Sequence, residues 1–137
     1  MHKFFRMTLT AVALAGAAAF QAANAEVVVI VSAKSTASTM TADQIAQIYL
    51  GKSTQMKPVD SGDAPVRSQF YAGVAGKDAA QVKAIWSKLV FTGKATPPKE
   101  LATSAEVVKA VAADPTSLGY VERTAVDPSV KIVYEIK

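Results

Sequence analysis

The chain predicts an α/β domain of two or three layers, and three features carry that expectation. An unbroken β-branched run, Val27-Val28-Val29-Ile30-Val31, suits a strand covered on both faces. Segments with helical spacing follow it, several opened by a capping residue. Near the end, Val130, Ile132, Tyr134 and Ile136 alternate with Lys131, Val133 and Glu135, the period of a strand. Strands interleaved with helices are packed most simply as layers of an α/β domain.

The first strand is expected over Glu26–Ser32, followed by a Ser/Thr-rich loop, Ala33–Met40. Thr41 and Gln44 form a capping-box pattern, so a helix starts there. Ala42, Ile45, Ala46 and Tyr49 mark its apolar face, and Gly51 supplies the stop. Met56–Asp60 reads as a short strand, with Pro58 placing it near a strand end or the sheet edge. Ser61-Gly62-Asp63 is a turn, after which Asp63 or Ala64 caps a helix with Pro65 at its first position. Val66, Phe70 and Val74 share one side of that helix. Asp78 caps the next, where Val82, Ile85, Trp86, Leu89 and Val90 follow the helical repeat closely. Gly93–Leu101, with Pro97-Pro98, reads as a loop. Thr103 and Glu106 form a second capping box ahead of Val107, Val108, Val111 and Ala112, and Asp114-Pro115 ends that helix. Leu118–Val121 and the alternating C-terminal run complete the order β-α-β-α-α-α-β-β.

The chain has 137 residues. Residues 1–25 read as a secretory signal peptide: Lys3 and Arg6, an apolar run from Thr8 to Phe20, then the small-x-small sequence Ala23-Asn24-Ala25. The run is shorter than the roughly 20 residues that span a bilayer. Residues 26–137 then form one small domain in the periplasm. Fifteen Lys and Arg against eleven Asp and Glu give a net charge of +4, with no dense basic run, so nucleic acid is not an expected partner. The chain has no cysteine, and its one histidine is His2. The domain therefore lacks nucleophile–histidine pairs and imidazole or thiolate metal ligands, and it reads as a non-enzyme without a metal or cofactor.

Two segments carry a family resemblance. Met40-Thr-Ala-Asp-Gln-Ile-Ala-Gln-Ile-Tyr-Leu-Gly-Lys52 is similar to a segment of the phosphate-binding proteins of ABC transporters. Val111-Ala-Ala-Asp-Pro-Thr-Ser-Leu-Gly-Tyr-Val121 resembles a second segment of the same family, in the same order. The resemblance implies a single lobe of a type II periplasmic-binding-protein-like fold, a central mixed sheet flanked by helices. It implies a phosphate or related oxyanion ligand, and as partners the membrane subunits of an ABC transporter or a membrane sensor. In the whole family two lobes close around the anion. A lone lobe supplies half a cleft unless it forms a homodimer or docks on a partner.

The family also places an arginine four residues before Ser-Gly-Thr at a helix start, where backbone N–H groups, hydroxyls and the guanidinium hold phosphate. Alignment on Ser61-Gly62 puts Lys57 at the arginine position and Asp63 at the threonine position, with Arg67 and Ser68 a turn into the helix. Lys57, Ser61, Gly62, Asp63, Arg67 and Ser68 are therefore the expected ligand site. Ser32, Lys34, Ser35 and Thr36 are a second candidate, since α/β sheets place ligands at strand C-terminal ends; a solvated loop is the simpler account of them. Trp86, Tyr49 and Phe70 read as core rather than stacking aromatics. Lys83, Lys88, Lys94 and Lys99 read as solvated lysines, with a basic face as the alternative. Asp60 and Asp63 are the only close carboxylates near the expected site, too little for acid–base chemistry or for calcium. The resulting expectation is an exported oxyanion-binding domain for phosphate uptake or sensing. The alternative is a periplasmic adaptor that has lost its ligand.

Overall fold

A computed structural model describes residues 26–136, so the expected signal peptide lies outside the described residues. Five strands form one mixed sheet in the order β3-β2-β4-β1-β5. They are β1 Val27–Ser32, β2 Lys57–Ser61, β3 Lys99–Leu101, β4 Ser117–Glu122 and β5 Val130–Glu135. The helices are α1 Ala42–Tyr49, α2 Ala64–Ala75, α3 Ala79–Phe91 and α4 Ser104–Ala113, with a short 3-10 turn at Arg123–Ala125. β1 runs antiparallel to β4 and β5, whereas β2 runs parallel to β3 and β4.

Every residue of β1 is buried, as its β-branched run requires. Val27, Val29 and Val31 pack with residues of α1, α2 and α3; Val28 and Ile30 pack with Val107, Val108 and Val111 of α4. The domain is thus three layers, with α1–α3 on one face and α4 on the other. Gly119 lets α4 approach closely. A Cβ there would lie 2.7 Å from Val111 Cγ2 and 2.8 Å from Val107 Cγ1.

Local signals place most boundaries. Thr41 and Gln44 form the reciprocal capping box at α1, and Asp78 and Gln81 form another at α3. Gly51, at φ 76°, stops α1 in the left-handed conformation. Some expectations are corrected. Glu106 does not close a box with Thr103; its carboxylate accepts from the Ala102 N–H instead, at 3.0 Å. Asp63 is the cap of α2, so Pro65 takes the second helical position. The segment read as loop before Leu101 contains β3, three residues too short to show a period. In β5 the pairing slips between Val29 and Ile30: Ile30 faces Ile132 but Val29 faces Tyr134. This bulge turns Val130 and Ile132 toward α4, and Tyr134 and Ile136 toward the other face, which breaks the simple alternation. In α3 only Val82 and Trp86 are buried, while Val90 is 47% exposed.

Replacing Gly119 by Ala should push α4 off the sheet and cost about 1–3 kcal/mol of stability. Urea unfolding of the variant against the parent chain measures this. An unchanged midpoint would show that α4 is not held at contact distance.

Candidate functional site

β2 and β4 pair only at Lys57↔Ser117 and Pro58↔Leu118, then separate. The backbone groups left in the gap are taken up by phenols. The Tyr49 hydroxyl lies 2.8 Å from the Val59 carbonyl and 3.1 Å from the Leu118 carbonyl, bridging the two strands. The Tyr120 hydroxyl accepts from the Ser61 N–H at 3.1 Å and donates to Asp60 Oδ1. Tyr71 of α2 donates to Asp60 Oδ2 at 3.0 Å. Phe70 closes the cluster, stacked on Tyr120 with ring centroids 3.8 Å apart and edge-on to Tyr49 at 4.6 Å.

Asp60 is the hub. Its Oδ1 accepts from Tyr120 and from the Ser61 N–H at 2.9 Å, and its Oδ2 accepts from Tyr71. A carboxylate offers about four acceptor positions, so one remains on Oδ2. Burial, reinforced by the Asp60 charge, raises the pKa of Tyr71 and of Tyr120. Burial raises that of Tyr49 as well.

A recess of about 470 Å³ opens beside this hub, lined by Asp60, Arg67, Tyr71, Lys83, Trp86, Pro97, Pro98 and Glu100. β2 supplies Asp60, α2 supplies Arg67 and Tyr71, α3 supplies Lys83 and Trp86, and β3 supplies Glu100. Arg67 Nη1 donates to Glu100 Oε1 at 3.0 Å, and Arg67 Nε is buried without a hydrogen-bond partner. The recess therefore offers two cationic groups, one free carboxylate acceptor position and an indole wall, with the unsatisfied Arg67 Nε buried behind the guanidinium. That set can bind a small polar anion carrying a proton. Among the described residues no three His, Cys, Asp or Glu gather as a metal site needs.

The structure brings together part of the expected site. Ser61, Gly62, Asp63, Arg67 and Ser68 lie at the C-terminal end of β2 and the start of α2. Only Arg67 among them lines the recess. The Ser61 hydroxyl is buried and accepts from the Asp63 N–H at 3.2 Å, and the Gly62 N–H donates to the Leu101 carbonyl at 2.7 Å. Pro65 has no N–H, and Asp63 sets its own carboxylate at the helix start, so the loop itself is a poor anion cradle. Ser68 is exposed.

Lys57, Ser35 and Thr36 lie at the other end of the sheet. Because β1 is antiparallel to β4 and β2 is parallel to it, the end of β1 lies at the same end of the sheet as the start of β2. Lys57 stands four residues from Ser61 along an extended strand, roughly 13 Å away. It faces Asp114 at 3.7 Å and lines a separate groove of about 480 Å³ beyond Trp86. Ser35 is buried, with its hydroxyl accepting from the Ala37 N–H and its carbonyl from Lys131 Nζ at 2.7 Å. Thr36 is exposed. Ser32 donates to the Ala112 carbonyl. Nothing in the sequence marks Tyr71, Tyr120, Lys83 and Glu100 as recess or hub residues. They sit on four different elements, and no spacing in the sequence joins them to Asp60.

An alkaline titration read at the tyrosinate absorbance tests the hub. The unfolded phenol pKa is about 10. The folded values lie above it, so the stabilisation from Tyr49, Tyr71 and Tyr120 is complete below pH 10 and is lost as pH rises further. Three phenols should ionise only together with unfolding. Smooth ionisation near pH 10 with the fold intact would contradict the burial of the cluster.

No protein-family model and no curated protein sequence matches the chain. Solved structures do. A protein from Clostridium perfringens described as a phosphate ABC transporter substrate-binding protein, with bound phosphate, superposes with a TM-score of 0.63 at 21% identity, over 79% of this chain and 44% of that one. An ABC-type phosphate transport receptor from Vibrio cholerae gives 0.60 at 15% identity, over 79% of this chain and 45% of that one. Identity at this level speaks for fold. The chain thus has the α/β fold of phosphate ABC transporter substrate-binding proteins, and it spans less than half the length of the two solved examples.

Proposed function

We propose that residues 26–137 form an exported, noncatalytic solute-binding domain that holds phosphate or a related protonated oxyanion for ABC-type uptake or sensing. The observation that carries this reading is Arg67, whose guanidinium stands on the wall of a recess beside Lys83 and is held only by a half-exposed carboxylate, in a fold shared with a phosphate-bound protein. Arg67 and Lys83 supply positive charge, and the open position on Asp60 Oδ2 accepts the proton of a protonated ligand. That acceptor favours phosphate over sulfate, which brings no proton to it.

The ligand must first take Arg67 from Glu100. The two side chains are 30% and 56% exposed, so their pairing is worth under about 1 kcal/mol and yields readily. Two acids offset two cations around the recess, and the open side leaves the ligand wet, so affinity is modest in a lone copy. A second copy, or a membrane subunit of the transporter, covers the open side in this reading. The other reading is an adaptor that docks on a membrane sensor without a ligand; the 3.0 Å Arg67–Glu100 contact, which occupies the guanidinium from within, favours it.

Calorimetric titration with phosphate, and with sulfate as control, separates the two. Phosphate heat should saturate in the wild type. A charge-assisted hydrogen bond is worth roughly 1.5–3 kcal/mol. Arg67→Ala should therefore weaken binding at least about tenfold, whereas Glu100→Gln should tighten it by freeing the guanidinium. Absence of heat at millimolar phosphate in both the wild type and Glu100→Gln would leave the adaptor.

A further inference from the structure

The last turn of α3 carries a patch that neither the core nor the recess explains. Phe91 is 92% exposed and Val90 47%, the two large apolar side chains left open among the described residues. Their position is fixed. Gly93, in the left-handed conformation at φ 69°, donates to the Val90 carbonyl at 3.0 Å, and Lys94 donates to the Leu89 carbonyl at 2.9 Å. This closes the helix tightly and holds Phe91 outward. Phe91 and Val90 form a shallow apolar depression with Ser87, Trp86, Pro97 and Lys83.

Charge is sorted around this patch. From Ala79 to Lys99 the chain has four lysines, Lys83, Lys88, Lys94 and Lys99, and no acid. Lys83 borders the depression, Lys88 stands one turn before Phe91 on the same helix, and Lys94 folds back over the helix end. Among the described residues none of the four is in an ion pair. The acids that flank this stretch in the sequence are engaged elsewhere: Glu100 faces Arg67, and Asp78 caps the far end of α3, roughly 20 Å away along thirteen residues. Lys88 also complements the helix C-terminus and Lys83 borders the recess, but neither role accounts for Phe91, Val90 or Lys94.

We infer that the end of α3 is a membrane-contact site that seats Phe91 and Val90 in the interface of an anionic lipid surface while Lys83, Lys88 and Lys94 meet the headgroups. A protruding aromatic ringed by lysines, with acids excluded, has the charge complement of such a surface. The lysine stems lie along the apolar boundary and leave their ammonium groups in the headgroup layer. The depression beneath the ring is shallow and offers a protein side chain little to enter, whereas a lipid interface needs no matching cavity.

Sedimentation of the full chain with vesicles tests this. The vesicles are phosphatidylcholine alone, or phosphatidylcholine with about a third phosphatidylglycerol, enough anionic lipid to give the surface a negative potential. All variants keep the same N-terminal residues, so differences between them report the patch. Binding should favour the anionic vesicles and weaken with salt. Phe91→Ala should lower partitioning about tenfold, as loss of a partly inserted ring implies. A triple change of Lys83, Lys88 and Lys94 to Gln should lower it by roughly a hundredfold, given the contribution of each surface lysine. Because these side chains are exposed, unchanged circular dichroism should accompany both losses. Equal binding to the two vesicle types would overturn the site. So would loss in the lysine variant with Phe91→Ala unaffected, or a dimer that Phe91→Ala dissolves in the absence of vesicle binding.

Discussion

The structure turns on the point where β2 leaves β4. After Pro58 the two strands no longer bond, and a gap of that kind in a buried sheet strands polar backbone groups at a cost of about 1–3 kcal/mol each. Three tyrosines and one aspartate resolve it. Tyr49 bridges the Val59 and Leu118 carbonyls, Tyr120 takes the Ser61 N–H, and Asp60 ties Tyr120 to Tyr71. Because Tyr49 comes from α1 and Tyr71 from α2, the same contacts fix both helices against the sheet. The recess exists because α2 and α3 are held beside a strand that has been drawn away from its neighbour.

This arrangement also limits what the recess can do. Asp60 is committed on three of its four acceptor positions, so it holds its place rather than moving protons. Arg67 is the member whose present pairing is easily displaced, because its partner is an exposed carboxylate that water screens. The Ser-Gly-Asp loop is spent on internal hydrogen bonds, which shifts the candidate ligand groups from the loop to the side chains lining α2 and α3. Arg123 does similar structural work at the same end of the sheet, pairing with Glu26 at 2.7 Å and with Glu135, and so joining the β4 turn to β1 and β5.

Much of the fold was legible because its signals are local. The β-branched run of β1, the Thr41–Gln44 box, the Asp78 cap and Gly51 each declare themselves within a few residues. What was illegible is what depends on pairing. β3 is a strand only because β2 lies beside it, and the β5 bulge is set by its register against β1. The site followed the same rule. Arg67 lies near a helix start, as its place in the sequence implies, but alignment joins Lys57 to Ser61 although the strand holds them at opposite ends. Asp60 looked like one acid of a turn, since nothing in the order of residues 60, 71 and 120 announces that three elements bring them to one point. The exposure of Phe91 is not legible in the sequence, because a helical repeat counts apolar positions without saying where the layer beneath ends.

The central claim is that Asp60 and Tyr120 act as one unit in holding the parted strands. A double-mutant cycle on unfolding free energy, with Asp60→Ala, Tyr120→Phe and the pair, tests it most directly. Contacting members of one network couple by about 0.5–3 kcal/mol. The account predicts a coupling of at least about 1 kcal/mol within that range, because removing the carboxylate leaves the phenol proton without its acceptor. Additive losses would contradict it: Asp60 would then be an ordinary exposed acid, and the gap between β2 and β4 would be held by aromatic packing alone.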